Sequence, residues 1–497
     1  MKRFLCILLA SLFLLSCVSC ADNGGDGEQS EAPTGSGTEA ETETVDMSFV
    51  DELPELNYHD ERIAFLGSGQ VGAKDELYTE GRNNELINDA VYERNEVVET
   101  RLGVKLDIVA DGGNDSFYVS NKIHNLVMTG TDEFQFCTLP SYVAVTRAVE
   151  GEYLDLTSFE YLDLSKHYWS QGYNEMASWG DGHQFMASGS AALTLFRYMY
   201  VTLYNKNVMT DRQIDDPFNA VQNGEWTLDF KTSLTNGMYQ DLNGNGKTDE
   251  KDFFGFVSGY ATSSDCYWIS TKSTVLDKDE TGYFIYNADV ERITEAVDKV
   301  LALFYGPDSY VFTIDSTYDN YIIEDFGDSL AFMVDTMITK IEVSLRDFKD
   351  DYGILPIPKL NKEQKDYRTC VQDQVSAFML PSTLPESKKE MMGAVLECLG
   401  SESYKTVVDA YYNTALSYRY LNNPESKIML DLIYDSVSFE IAQIYTEAAG
   451  NFLANMRAMV SSKRNTAASA YKKQTRNMEK QLQKLNEKYE KVVNSQS

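Results

Sequence analysis

Positive charge, histidine and paired cysteine are what this chain has least of. Its 497 residues carry 43 lysines and arginines against 77 aspartates and glutamates, a formal net charge of -34. Nucleic acids are held by basic patches, so that class of partner is excluded. Histidine occurs only at His59, His124, His167 and His183, never paired at metal-ligand spacing. No Gly-x-Ser-x-Gly elbow, His-Glu-x-x-His helix or Walker loop is present. The chain therefore reads as a binder and not as an enzyme. Its many acids leave a carboxylate-pair glycosidase as the alternative, because the spacing of such a pair is set by the fold. Cysteines stand at 6, 17, 20, 137, 266, 370 and 398. The last four are widely separated, so neither disulfides nor a metal site is indicated.

What is present begins with Met1-Lys2-Arg3 and an apolar run from Phe4 to Leu15. This pattern reads as a secretory signal and is too short for a membrane span of roughly 20 residues. Leu14-Leu15-Ser16-Cys17 resembles a bacterial lipoprotein box, with Cys17-Val18-Ser19-Cys20 as a competing cut. Cys17 or Cys20 would then carry the lipid, and residues 1–20 would be the signal peptide. Between Ala21 and Glu61 lie thirteen acids and no lysine or arginine. Residues 21–55 are expected to form a disordered, self-repelling tether that holds the protein just outside the membrane.

From Arg62 the pattern becomes that of a fold. With 43% hydrophobic and 12% aromatic residues, the chain can bury sizeable cores, and its length implies two or three domains. Arg62–Leu66, Val104–Val109 and Phe134–Leu139 read as strands. Asn84–Arg101 and Ser120–Met128 read as the helices between them, so an α/β lobe with a parallel sheet is expected. Near the end, Tyr471, Thr475, Met478, Leu482, Leu485, Tyr489 and Val492 recur at steps of four and three. They give residues 463–497 the pattern of a basic amphipathic helix, packed on its host or coiled with a partner.

The sharpest chemical signal is Asp241 to Asp252. Asp241, Asn243, Asn245, Asp249 and Asp252 fall at positions one, three, five, nine and twelve, with Gly246 at six. That is the spacing of an EF-hand calcium loop, in which Lys247 at position seven offers its backbone carbonyl. A structural Ca2+ is expected there, weakened by aspartate where a bidentate glutamate is usual. Asp277–Gly282 imitates a second loop but fails at Ile285 and Ala288, and reads as a polar turn between strands.

Several stretches, in order, resemble family 1 extracellular solute-binding lipoproteins of carbohydrate ABC importers. They are Asn88–Asn95 with Arg101–Val104, Gly182–Met186 through Tyr204-Asn205-Lys206, and Gly224-Glu225-Trp226-Thr227. The calcium loop running into Phe253–Phe256, Asp328–Asp335 with Tyr352–Lys359, and Glu425–Asp431 complete the set. The resemblance covers roughly residues 60 to 460. It implies a two-lobed, type II periplasmic-binding-protein-like α/β fold with hinge crossovers. Lobe 1 is expected over 56–190 and 326–380, and lobe 2 over 191–325 and 381–462. It further implies a monomeric, lipid-anchored extracellular receptor that captures an oligosaccharide and presents it to permease subunits. A peptide or another non-sugar solute is the alternative cargo.

Sugars are held by aromatic rings against C–H faces and by planar polar groups on hydroxyls. Loops after strands and the crossovers of such a fold point to Ser141, Tyr142, Arg197, Tyr198, Trp268, Asp335, Asp373 and Arg419 as ligand contacts. Trp226 reads as a packing residue.

Overall fold

The computed structural model describes residues 51–496 except 71, 72, 260, 314–317, 346, 347, 421 and 422. Cys17, Cys20 and most of the tether lie outside the described residues. Thirteen strands are described. Four of them, β1 (Glu61–Ser68), β2 (Val104–Asp111), β3 (Phe136–Pro140) and β12 (Ser376–Met379), form a sheet in the order β12-β3-β1-β2. β1 runs parallel to β2, from Glu61 opposite Val104 to Ser68 opposite Asp111, and parallel to β3. β12 returns antiparallel, with Ser376 opposite Pro140.

A second sheet has the order β10-β4-β9-β5-β8, from β4 (Tyr200–Asn205), β5 (Phe254–Gly259), β8 (Ser309–Phe312), β9 (Ala331–Met337) and β10 (Tyr352–Pro356). β5 is parallel to β8 and β9, whereas β4 is antiparallel to β9 and β10. β6 (Leu276–Lys278) and β7 (Phe284–Tyr286) make a hairpin, and β11 (Thr369–Cys370) pairs with β13 (Val437–Ser438). β1, β3, β4, β5 and β9 are buried nearly end to end, as sheets covered on both faces require.

The helices follow from local rules. Leu86–Leu102 buries Ala90, Val91, Arg94, Val98 and Leu102 at three- and four-residue steps. It stops at Gly103, whose φ of 61° lets its N–H cap the Glu99 carbonyl. Ser116–Thr129 starts because the Asp115 carboxylate accepts the N–H groups of Phe117 and Tyr118, and ends on left-handed Gly130.

The two sheets divide the chain differently from the expectation above. Residues 326–370 do not return to lobe 1, because β9 is inserted between β4 and β5 and β10 pairs with β4. Only the segment after Val371 re-enters lobe 1, through β12. Residues 381–462 are not one lobe 2 block either. Helix Lys389–Glu402 and its wider-wound continuation Ser403–Tyr420 pack on helix Leu86–Leu102 of lobe 1, whereas helix Pro424–Asp435 packs on β10. Strand hydrophobicity says that a strand is buried but not which neighbour it takes, so these long-range pairings left no local trace.

Asp279–Gly282 lie in the turn of the β6–β7 hairpin, whereas Asp277 and Lys278 belong to β6. The hairpin reaches lobe 1: Gly180 donates its N–H to the Gly282 carbonyl at 3.1 Å, and Lys278 donates to Ser178 Oγ at 2.8 Å. Gly282 has φ 77°, and a Cβ there would stand 2.1 Å from the Gly180 oxygen, so only glycine fits. Helix Ala467–Gln496 lies beside this hairpin with Tyr471, Met478, Leu482, Leu485, Tyr489 and Val492 buried, so its apolar stripe packs on its own host. Trp226 is fully buried and donates to the Pro356 carbonyl at 2.7 Å, a packing residue.

Candidate functional site

Two crossovers define the site. The first runs from Ala187, bridged to Phe378 in lobe 1, through the short helix Leu193–Arg197 into β4 at Tyr200. The second leaves lobe 2 at Val371, bridged to Met199, and enters β12 at Ser376. Tyr200 pairs with Met337, where β9 ends, and Ser376 pairs with Pro140, where β3 ends. Both sheets therefore turn the carboxyl ends of their parallel strands toward the same crossovers, the position where open α/β sheets bind ligands.

The lobe 1 wall is aromatic. Capping by Asp115 places Phe117 and Tyr118 in the first turn after β2, and they stay 57% and 52% exposed. The Tyr142 ring stands edge-on to Phe117, centroids 6.3 Å apart. Tyr142 also donates its N–H to the Asp373 carbonyl at 3.3 Å, which ties this wall to the second crossover. Next to it, the Gln70 amide donates to Gln374, and Ser116 Oγ donates to Gln70 at 3.2 Å.

Asp373 sits in the crossover itself. Burial raises its carboxyl above the usual range, against the opposing pull of the Arg457 guanidinium. Beyond its own backbone N–H, that carboxylate takes no hydrogen bond or ion pair among the described residues. Arg457, on helix Phe452–Ser462 of lobe 2, grips Asp265 with a bidentate fork, Nε donating to Oδ1 at 2.9 Å. Burial works against the Arg457 charge, but Asp265 and Asp373 together hold its pKa above the ordinary arginine value. Taken together, the floor carries two carboxylates and one guanidinium, leaving acceptors in excess for donors on a solute.

Deeper in the hinge lies Glu76, fully buried. It accepts the Thr194 N–H at 2.5 Å, and Thr194 Oγ1 accepts the Ser376 N–H at 2.9 Å, so one carboxyl ties the loop after β1 to both crossovers. Burial pushes that carboxyl up to about 7.

Of the eight residues expected to touch a ligand, Tyr142 and Asp373 stand at this cleft and five are inside the protein. Trp268 is fully buried and its Nε1 has no partner among the described residues. Asp335 lies within β9, where Lys231, Thr202 and Tyr267 all donate to it, a closed internal network. Ser141 is buried and donates to the Val375 carbonyl at 2.7 Å. Arg197 is shielded, 3.8 Å from Glu342 and over the Tyr411 ring at 5.7 Å. Tyr198 is buried beside it, and burial raises its hydroxyl pKa. The Arg419 side chain lies outside the described residues.

Sequence reasoning missed Phe117, Tyr118, Gln70, Gln374, Asp265 and Arg457. Asp115-Ser116-Phe117-Tyr118 was readable as a capped helix start after a strand. Arg457 and Asp265 are 192 residues apart and left no such mark.

In the Asp241–Asp252 loop the acids serve the backbone. Asp241 accepts the N–H groups of Gly244 at 2.7 Å and Gly246 at 2.8 Å, and the Asn243 and Asn245 amides donate to Asp249 at 3.0 and 2.7 Å. Asp252 is buried and accepts from Tyr239 at 3.0 Å and from the Asp249 N–H at 3.1 Å. Among the described residues, no three His, Cys, Asp or Glu side chains are gathered as a metal site would gather them. The donor set is nonetheless all oxygen, which is the chemistry calcium takes.

No protein-family model and no curated protein matches the chain. Solved structures do. A maltose/maltodextrin-binding MalE domain of Bdellovibrio bacteriovorus, bound to maltotriose, is 16% identical at a TM-score of 0.52, over 85% of this chain and 100% of that one. An ABC substrate-binding protein of Listeria monocytogenes in complex with cycloalternan is 14% identical at 0.53, over 85% and 99%. A family 1 extracellular solute-binding protein of Bifidobacterium longum subsp. infantis is 14% identical at 0.53, over 87% and 99%. Two sheets facing common crossovers, matched over nearly the full length of these structures, give this chain the two-lobed, type II periplasmic-binding-protein-like fold of extracellular solute-binding proteins.

Proposed function

We propose that the protein is a cell-surface solute-binding receptor that captures an oligosaccharide between its lobes and delivers it to an ABC importer. The observation that carries this reading is the cleft. Exposed Phe117 and Tyr118 open the helix after β2, and the Tyr142 ring meets Phe117. Tyr142 donates its N–H to the carbonyl of Asp373, whose carboxylate takes no side-chain hydrogen bond among the described residues. Rings accept the C–H faces of a sugar, and the carboxylate and amides accept or donate to its hydroxyls. Binding would stabilise the closed arrangement of the lobes over the open one. The similar proteins solved with maltotriose and cycloalternan support a glycan as the solute.

The test is a thermal-shift screen of the purified protein against a glycan panel, with the incubations analysed by mass spectrometry. A raised midpoint with the glycan returned intact is expected, since a ligand that binds only the folded form stabilises it. Midpoints raised only by peptides or polyamines would move the reading to a non-sugar solute. Cleaved glycan would make the protein an enzyme.

The same reading places the protein outside the cell on a lipid carried by Cys17 or Cys20, behind the acidic tether. Among the described residues, no helix is long and apolar enough to cross a membrane. Metabolic labelling with palmitate, lost in Cys17→Ser or Cys20→Ser, is the expected outcome. Full label in both single variants and in the pair would remove the anchor. We also assign Ca2+ to Asp241, Asn243, Asn245, Lys247, Asp249 and Asp252, as a brace of lobe 2 with no part in the chemistry. Chelation should lower the melting temperature of the wild type and leave Asp241→Ala unchanged. A wild type indifferent to chelator would leave the segment a turn.

A further inference from the structure

A second cavity adjoins the cleft. Helix Ser141–Ala148, residues 444–448 and the C-terminal helix enclose a groove of about 550 Å3. That is within the range of roughly 300–1,000 Å3 typical of small-molecule sites. Tyr142 lines the groove, and the same ring meets Phe117 in the cleft. The two spaces therefore share a wall.

The groove is built like a sugar site. Val145, Val149, Ile444, Tyr445 and Leu485 supply apolar lining, and polar groups stand among them. Lys488 is held 2.6 Å from Glu150, and both line the groove. Gln481, Lys484 and Glu447 also line it, and their side chains make no hydrogen bond or ion pair among the described residues. Two lysines against two glutamates leave the lining balanced, which suits an uncharged solute better than an acidic one. The helix that carries Gln481, Lys484 and Lys488 is fixed. Tyr489 and Tyr445 share a hydrogen bond of 2.6 Å, and the Asn486 side chain bonds both the N–H and the carbonyl of Phe284. A wall held in this way loses little order when it takes up a ligand.

We propose that this groove extends the cleft and that the solute is an elongated, uncharged oligosaccharide whose chain passes over Tyr142 and ends against the C-terminal helix. The inference rests on the solute-binding reading above and adds chain length, charge class and a third wall to it. Residues closer to the crossovers would bind one end of the chain, and Gln481, Lys484 and Glu447 the other.

The experiment is calorimetric titration of the full-length protein with size-graded neutral glucan and mannan oligosaccharides, from disaccharides upward, and with a matching uronic-acid series. Wild type, the double variant Gln481→Ala/Lys484→Ala, Glu447→Ala on a different element, and the control Lys472→Ala, exposed on the same helix, are compared. For wild type and control, affinity should rise with length in the neutral series and stay weak in the acidic one. The double variant and Glu447→Ala should each lose about tenfold on the longer members only, equivalent to roughly 1.4 kcal/mol, and match wild type on the shortest binder. Losses equal at every length, no loss at all, or a preference for uronates would overturn the extended groove and leave the receptor intact. If no member of either series binds, the glycan reading fails and this inference with it.

Discussion

The core of the second sheet holds a buried aspartate and the floor of the cleft a half-buried one, and the two have opposite surroundings. Asp335 in β9 is met by the Lys231 ammonium and the hydroxyls of Thr202 and Tyr267. Asp373 in the crossover faces one guanidinium that Asp265 has already taken. A buried charge with a full set of donors is part of the architecture, because removing a member strands its partners. A desolvated charge without donors costs stability and persists where something else will supply them. Place along the chain, which made both residues candidates, therefore does not separate site from scaffold; the inventory of donors does.

Breaking the closed network should have the largest effect. Asp335→Ala leaves the fully buried Lys231 ammonium without its counter-ion, an expected loss of about 3–5 kcal/mol read from denaturant unfolding. Replacing both members, Lys231→Met with Asp335→Leu, should recover much of that loss. A single variant as stable as wild type would show that the network is dispensable and the comparison misplaced.

Next in size is a pH effect in the hinge. The Glu76 carboxyl titrates at about 7 when folded, against an ordinary 4.5. The folded state thus holds its proton more tightly than the unfolded chain. This advantage is complete below pH ~4.5 and is lost as pH rises through about 7, on the order of 3 kcal/mol across the window. Glu76→Gln keeps an acceptor for the Thr194 N–H and removes the titration. Unfolding free energies measured from pH 4.5 to 8 should fall more steeply in wild type than in the variant, and parallel slopes would refute the assignment.

Asp373→Asn tests the other half of the comparison. Because no side chain among the described residues donates to it and Asp265 already holds Arg457, stability should hold or rise. Glycan affinity should fall by about 1.5–3 kcal/mol, the range for a hydrogen bond to a charged group. A variant that loses stability and keeps affinity would place Asp373 with Asp335, in the scaffold.

Much of the fold was legible because it is local. β1, β2 and β3 and the helices between them announced themselves by apolar runs and their alternation along the chain, and the structure differs from those readings by a few residues at the ends. The sorting of later strands into lobes was not legible: β9 lies between β4 and β5 although chain order gives no hint of it. The site was legible only in part for the same reason. Tyr142 and Asp373 follow from the rule that ligands sit at strand ends and crossovers. Trp268 lies inside helix Asp265–Ser270 and Asp335 inside β9, both turned inward, and only packing decides which way a side chain faces.

The smallest effect should come from the cap that presents the exposed rings. Asp115→Ala removes the acceptor for the Phe117 and Tyr118 N–H groups, both at 3.1 Å, at the first turn of helix Ser116–Thr129. Loss of such a cap costs about 1 kcal/mol, or a melting shift of roughly 1 °C in a chain this long. The first turn would fray, and Phe117 and Tyr118 would lose the orientation that sets them beside Tyr142. Affinity for a glycan should then fall a few-fold at nearly unchanged stability, whereas Asp115→Asn, which keeps an acceptor, should restore most of it. Equal behaviour of the alanine and asparagine variants would mean that the Asp115 charge, not the cap, acts on the cleft, and would extend the acceptor-rich floor of Asp373 and Asp265 up the wall of lobe 1.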